Sequence, residues 1–246
     1  MCDKLFLLES EMIPFIQAGL PSILGFPCSF AHANELPVNN RVVDIAAAPI
    51  DQQLLTCSDQ VLKILGRLSM VQLDVLSLFI NKRKVSIQSL SKRTFLSPEK
   101  LHSDYLDMFD DYGLIERESR YSYVASNWVD VLPPYIVAIE AKLNRWHEAL
   151  EQARSNKSFA NISIVVLSKA QLNITSTLRL AYQNDGIGLL TVTDSGEIET
   201  IVLPKRSRAT VIRERDFQMI RLLRDLQKED SKCKWRLMLP KESRLN

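Results

Sequence analysis

The sequence is short of cysteine and histidine and has no long apolar run, and each shortage excludes something. Its four cysteines, Cys2, Cys28, Cys57 and Cys233, form no Cys-x-x-Cys pair and have no patterned His beside them. A zinc site is therefore not expected, and reduced cytosolic thiols are the default. His32, His102 and His147 make no motif either. No stretch approaches the roughly 20 apolar residues of a membrane span, so no membrane partner is expected. The first residues are apolar, but Glu9 and Glu11 interrupt them, and they do not read as a secretory signal. A cytoplasmic location is the expectation. There are no internal repeats and no low-complexity run.

The chain has 246 residues, 46% of them hydrophobic, and a formal net charge of +2. That is the composition of an ordinary globular protein of one large domain or two small ones. The charge is unevenly spread. From Lys205 onward there are thirteen Lys and Arg against six Asp and Glu, a net +7, which leaves −5 for the rest. Such a region suits a polyanionic partner or, equally, a solvated helical surface.

Hydrophobic spacing gives the organisation. The chain up to Gln17 reads as a helix starting near Glu9 or Ser10, with Pro14 near the first turn, where proline is tolerated. Gly19–Pro37 is loop-rich. Residues 35–41 read as a strand edge and a turn at Asn39-Asn40, leading into the strand Arg41-Val-Val-Asp-Ile-Ala-Ala47. From Asp51 to Trp128 the pattern turns helical and ends in a hairpin. Helices are expected over 69–80, 86–93 and from the Ser97-Pro98 start to Gly113. After that, Leu114–Val124 alternates like two strands. Three helices followed by "YGLIERESRYSYVA" resemble a winged helix-turn-helix domain over roughly residues 59–127. Farther on come a strand at Tyr135–Lys142, a helix over 144–155, a strand over 162–167, a helix over 170–183, two strands over 184–203 and an amphipathic helix over 210–226.

Two strands carry charge among apolar neighbours. Asp44 sits among Val42, Val43 and Ile45. Glu140 and Lys142 share a face of the run Tyr135-Ile-Val-Ala-Ile-Glu-Ala-Lys142, because strand side chains alternate. Buried charges are usually paired or metal-bound. An Asp on one strand, with a Glu and a Lys two apart on a neighbour, can hold a divalent cation and leave the Lys beside a water. That is the chemistry of metal-dependent phosphodiester hydrolysis. The plainer reading makes Asp44 a salt-bridged strand residue and Glu140–Lys142 an exposed pair on an edge strand.

With residues 52–130 set aside, the rest reads helix, strand, strand, strand, helix, strand. Together with "RVVDIAA" and "IEAKLNRWHEALEQARSNKSFANISIVVL", it resembles the PD-(D/E)XK nuclease superfamily. The resemblance implies an α/β, restriction-endonuclease-like core, a mixed sheet flanked by helices, over 1–51 and 131–246. The winged-helix domain would be inserted over 52–130. It also implies Mg²⁺ or Mn²⁺ as cofactor, with Asp44, Glu140 and the Ala141 carbonyl as ligands. Lys142 would orient or deprotonate a water and offset negative charge. Gln152, on the following helix, would position that water or Lys142. Glu9 would hold the metal's outer waters, with Glu11 the alternative if the helix phase shifts. Asp44 departs from the family pattern in lying far upstream with no preceding Pro. Asp130 is the rival for the first carboxylate, but it sits beside Pro133-Pro134 in what reads as a linker. Gln152 has a plain surface reading, and Glu9 a plain helix-start one.

The functional expectation is a Mg²⁺-dependent deoxyribonuclease in genome defence or DNA processing, with DNA as partner. The competing classes are a non-catalytic DNA-binding regulator on a nuclease-like scaffold and an adaptor with no nucleic acid. The insert's third helix is acidic, with Asp104, Asp107, Asp110 and Asp111. A phosphate-facing helix should be basic. Positive charge lies instead at Lys82-Arg83-Lys84, Lys92-Arg93, Arg117 and Arg120. The insert would touch DNA through these, or serve as a homodimer or protein contact.

Overall fold

A computed structural model describes residues 6–25, 29–80, 84–171, 173–227 and 235–238. Helix α1 spans Ile13–Leu24, and the strands β1 (Phe30–Val38) and β2 (Arg41–Pro49) follow. Helices α2 (Gln52–Cys57), α3 (Asp59–Arg67) and α4 (Met70–Ser77) come next, then the short β3 (Val85–Ser86) and α5 (Ile87–Thr94). Helix α6 (Pro98–Leu101) passes through a π turn (His102–Leu106) into α7 (Asp107–Asp111). The hairpin β4 (Ile115–Ser119) and β5 (Ser122–Ala125) closes this stretch. Strand β6 (Val137–Lys142), α8 (Trp146–Asn156), β7 (Ile162–Ser168) and α9 (Ser176–Asp185) follow. The chain then runs through β8 (Gly188–Val192), β9 (Ile198–Val202), α10 (Ile212–Asp225) and β10 (Trp235–Met238).

The chain divides into two compact units. One takes Met1–Pro49, Pro134–Ile212 and Lys234–Asn246; the other takes Ile50–Pro133 and Arg213–Cys233. The sequence reading put everything after 130 in the core. The structure instead gives α10, all but its first residue, to the second unit.

The first unit is α/β: a mixed seven-stranded sheet of order β10-β1-β2-β6-β7-β8-β9, flanked by helices. Strands β6, β7 and β8 run parallel, and the other pairings are antiparallel. Helix α8 is the crossover that a parallel β6–β7 pair requires. On one face, Met12, Ile16 and Leu20 pack on Ile45, Ala47, Val137, Ile139 and Ala141. On the other, Ala149, Leu150 and Ala153 of α8 and Tyr182 of α9 cover Val165, Leu167 and Leu189. Ser163, the one polar residue of β7's apolar run, donates from Oγ to the Ala153 carbonyl at 2.8 Å. Strand period then puts Ala138, Glu140 and Lys142 on the α8 face of β6.

Several elements differ from the sequence reading; β1 begins at Phe30, inside the stretch read as loop-rich. Helix α1 runs on to Leu24, through Gly19 and Pro21, where a loop was expected. Burial of Ile16 and Leu20 carries it past both. Gly19 marks a close approach rather than a break: a Cβ there would lie 2.5 Å from Ile198 Cδ1. Helix α9 starts at Ser176 rather than Ala170, because Thr175 caps it, its Oγ1 accepting from Leu178 N–H at 3.2 Å.

The second unit is helical, with a three-stranded sheet of order β3-β5-β4. Ser69, Ser86 and Ser97 cap α4, α5 and α6 through side-chain hydrogen bonds. Within the described part of the positive stretch after Lys205, the arginines of α10 are paired. Arg213 pairs with Asp74, Arg215 with Asp216, and Arg221 and Arg224 with Asp225. Neither an open polyanion surface nor a solvated face describes α10, on which Asp216, Gln218, Arg221 and Asp225 are all buried.

Ile164 is fully buried on β7, between two parallel neighbours. Ile164→Ala should cost about 2–5 kcal/mol, removing apolar contacts and leaving a cavity. Guanidinium unfolding followed by circular dichroism should show the lower midpoint.

Candidate functional site

β6 is the central strand of the seven, and all six of its residues are buried. The exposed-edge reading of Glu140 and Lys142 is therefore wrong. Glu140 is 2% and Lys142 6% exposed. The β2–β6 ladder pairs Ile45 with Ile139 and Ala47 with Val137. Carrying that register one step further sets Asp44 opposite Glu140. The ladder pairing stops at Ile45, and the next β6 amide, Ala141 N–H, donates to Asp44 Oδ2 at 2.8 Å. Asp44 thus satisfies a backbone group that the ladder leaves open.

Burial, then the Asp44 charge, push Glu140 up to about 7. Like charges opposite one another across strands repel, and protonating Glu140 relieves that. Asn156, at the end of α8 and 2% exposed, donates from Nδ2 to Glu140 Oε1 at 2.6 Å. Lys142 Nζ lies 3.1 Å from Glu9 Oε2 and 3.8 Å from Asp44 Oδ2. Burial alone would lower its pKa, but Asp44, Glu9 and Glu140 together raise it, so the amine stays an ammonium.

The choice between Glu9 and Glu11 is settled by geometry. Both lie on a 3-10 turn, Glu9–Glu11, ahead of α1. Glu11 Oε2 accepts from Leu7 and Leu8 N–H at 2.8 and 3.3 Å and so caps the turn. Glu9 reaches Lys142, and its other oxygen accepts from Arg145 at 3.4 Å. Asp130, the rival to Asp44, is exposed on the turn Asn127–Val131 of the second unit. Gln152 is half-buried on α8, but its Oε1 is buried with no donor among the described residues, so Lys142 does not bond to it. A water is the natural donor for such an orphaned oxygen.

A concavity of about 450 Å³ opens at Glu9 and Asp44 and is lined also by Gln17, Asn34 and Glu35. Gln17 Nε2 donates to Asn34 Oδ1 at 2.7 Å. Glu35 takes a left-handed backbone, φ 48°, which is uncommon outside glycine. Sequence reasoning missed Asn156 and Glu35. Glu35 was readable: the turn at Asn39-Asn40 pairs Val38 with Arg41, and the same count places Glu35 across from Asp44.

Among the described residues, no group of three or more His, Cys, Asp or Glu side chains is disposed to hold a metal ion. The residues that could hold one are fewer: the Asp44–Glu140 carboxyl pair, with backbone oxygen and water to complete the shell. Such hard oxygens suit Mg²⁺, which keeps several waters. Comparison with protein-family models, with curated proteins and with solved structures finds no match to this chain.

Raising a carboxyl pKa on folding favours its protonated form. That stability is full below the ordinary glutamate range and is lost as pH rises through about 7. In EDTA the melting temperature should fall from about pH 5 to about pH 8, and Glu140→Gln should flatten that fall. Parallel slopes in the two proteins would show that Glu140 titrates normally.

Proposed function

We propose that the chain is a Mg²⁺- or Mn²⁺-dependent nuclease that hydrolyses DNA phosphodiester bonds. Its first unit would be a restriction-endonuclease-like core of the PD-(D/E)XK kind, and its second a winged-helix insertion joined by α10. The supporting observation is the Asp44–Glu140 carboxyl pair on adjacent central strands, with the Lys142 ammonium beside it. Two neighbouring carboxyls, one of them resisting ionisation, are a ready pair of ligands for a dication, which would take the place of a proton on Glu140. A bound dication supplies charge neutralisation at the phosphate and a more acidic water.

The chain's own residues account for the rest. Asp44 is aimed by Ala141 N–H, and Glu140 by Asn156. Lys142, kept protonated, offsets negative charge on the phosphate and orients a water, so of its two expected roles deprotonation is disfavoured. Glu9 holds the ammonium in place. Gln152 Oε1, with no donor among the described residues, is available to a water.

One observation favours the non-catalytic alternative, a DNA-binding regulator on the same scaffold. Lys142 is already neutralised by Glu9 and Asp44, as in a purely structural ion pair. Plasmid nicking separates the two. The purified protein should nick or degrade DNA with Mg²⁺ or Mn²⁺ and be inert in EDTA. Glu140→Ala and Lys142→Ala should each lower the rate by at least about 100-fold, with unchanged circular dichroism. Activity that survives both substitutions, or failure to cut any form of DNA, would rule out the enzyme.

A further inference from the structure

The second unit has a concavity of its own, of about 650 Å³. That is the size of a small-ligand site. Arg117, Arg120 and His102 line it with Tyr121, Gln88 and Ser86, and among the described residues none that lines it is acidic. Positive groups, a planar ring and an amide on one concave wall match a guest with an anionic end and a flat polar end.

The parts are held in place before any guest arrives. Arg117 Nε and Nη2 donate to Tyr123 Oη at 3.2 and 3.0 Å. A guanidinium has five N–H donors, so three are not used by Tyr123. Tyr123 is buried, and His102 sits edge-on to its ring at 6.0 Å. The hairpin turn is tied to the start of α5 by Ile87 N–H donating to the Tyr121 carbonyl at 3.0 Å. Ser86 caps the same helix, its Oγ accepting from Ser89 N–H at 3.2 Å. Tyr121 nevertheless stays 62% exposed, with the Arg120 guanidinium 5.4 Å from its ring centre. An exposed ring flanked by a cation is a stacking platform for a base beside a phosphate site.

The surroundings limit the guest's size. Asp104, Asp107, Asp110 and Asp111 are all exposed on the adjoining α6–α7 segment. A broad duplex surface laid there would meet repulsion along that segment. A single nucleotide needs only the concavity.

We propose that this concavity binds one nucleoside phosphate unit, its phosphate on Arg117 and Arg120 and its base on Tyr121. The unit is either a free mononucleotide or one residue of a single strand. The two share one chemistry, and binding measured in EDTA tells them apart. The probes are adenosine 5′-monophosphate, by calorimetry, and a fluorescein-labelled oligothymidylate, by anisotropy. At least one should bind below about 1 mM, and Arg120→Ala and Tyr121→Ala should each weaken it by about tenfold or more. Both changes lie at an exposed turn and should leave the melting temperature unchanged. Arg117→Ala is the poorer test, because it would remove two of the donors that hold the buried Tyr123 hydroxyl. Monophosphate binding assigns the site to free nucleotide; binding of the strand alone assigns it to a strand. Glu140→Ala should bind like wild type, which separates this site from the charged centre. No binding of either probe at about 1 mM, or binding indifferent to Arg120→Ala and Tyr121→Ala, overturns the proposal.

Discussion

Two carboxyl groups held opposite each other on neighbouring central strands are expensive, and much of the first unit is arranged around them. Burial and mutual repulsion both act against ionising Glu140 and push it up to about 7. The neighbours divide the work. A backbone amide fixes Asp44, a helix-end amide fixes Glu140, and a carboxylate from the turn before α1 fixes Lys142. Three separate chain segments therefore converge on one point of the sheet.

That convergence explains which parts of the site were legible in the sequence. Charged residues inside apolar strands are conspicuous, so Asp44, Glu140 and Lys142 could be picked out from pattern alone. Their mutual placement follows from the two-residue period and antiparallel pairing, which are local rules. Asn156 could not be found this way. It lies on α8 near the C-terminal end of the helix, and only the angle at which α8 crosses β6 decides that it, rather than Gln152 one turn earlier, meets Glu140. Glu11 and Glu9 were equivalent by composition. Capping geometry at Leu7 and Leu8 separated them.

The fold was readable where side-chain chemistry acts locally, as in the serine caps of the second unit and the turn at Asn39-Asn40. It was misread where packing overrides a local signal. Gly19 and Pro21 looked like loop residues, yet two fully buried apolar side chains hold them in a helix, and the glycine makes room for Ile198. The positive stretch after Lys205 shows the same limit in electrostatics. A charge count cannot reveal that Arg213, Arg215, Arg221 and Arg224 are paired with Asp74, Asp216 and Asp225. Of the basic turn Lys82-Arg83-Lys84, Lys82 and Arg83 lie outside the described residues, while Lys84 pairs with Glu118 at 3.1 Å.

The account stands on the Asp44–Glu140 pair being a cation site rather than a structural acid pair. Titration of the metal-free protein with Mn²⁺ at about pH 8, where Glu140 has lost its proton, tests this most directly. Calorimetry or electron paramagnetic resonance should show one site of millimolar or tighter affinity, with Glu140→Gln and Asp44→Asn each abolishing it. Binding that persists unchanged in both variants, or no binding by wild type, would contradict the account.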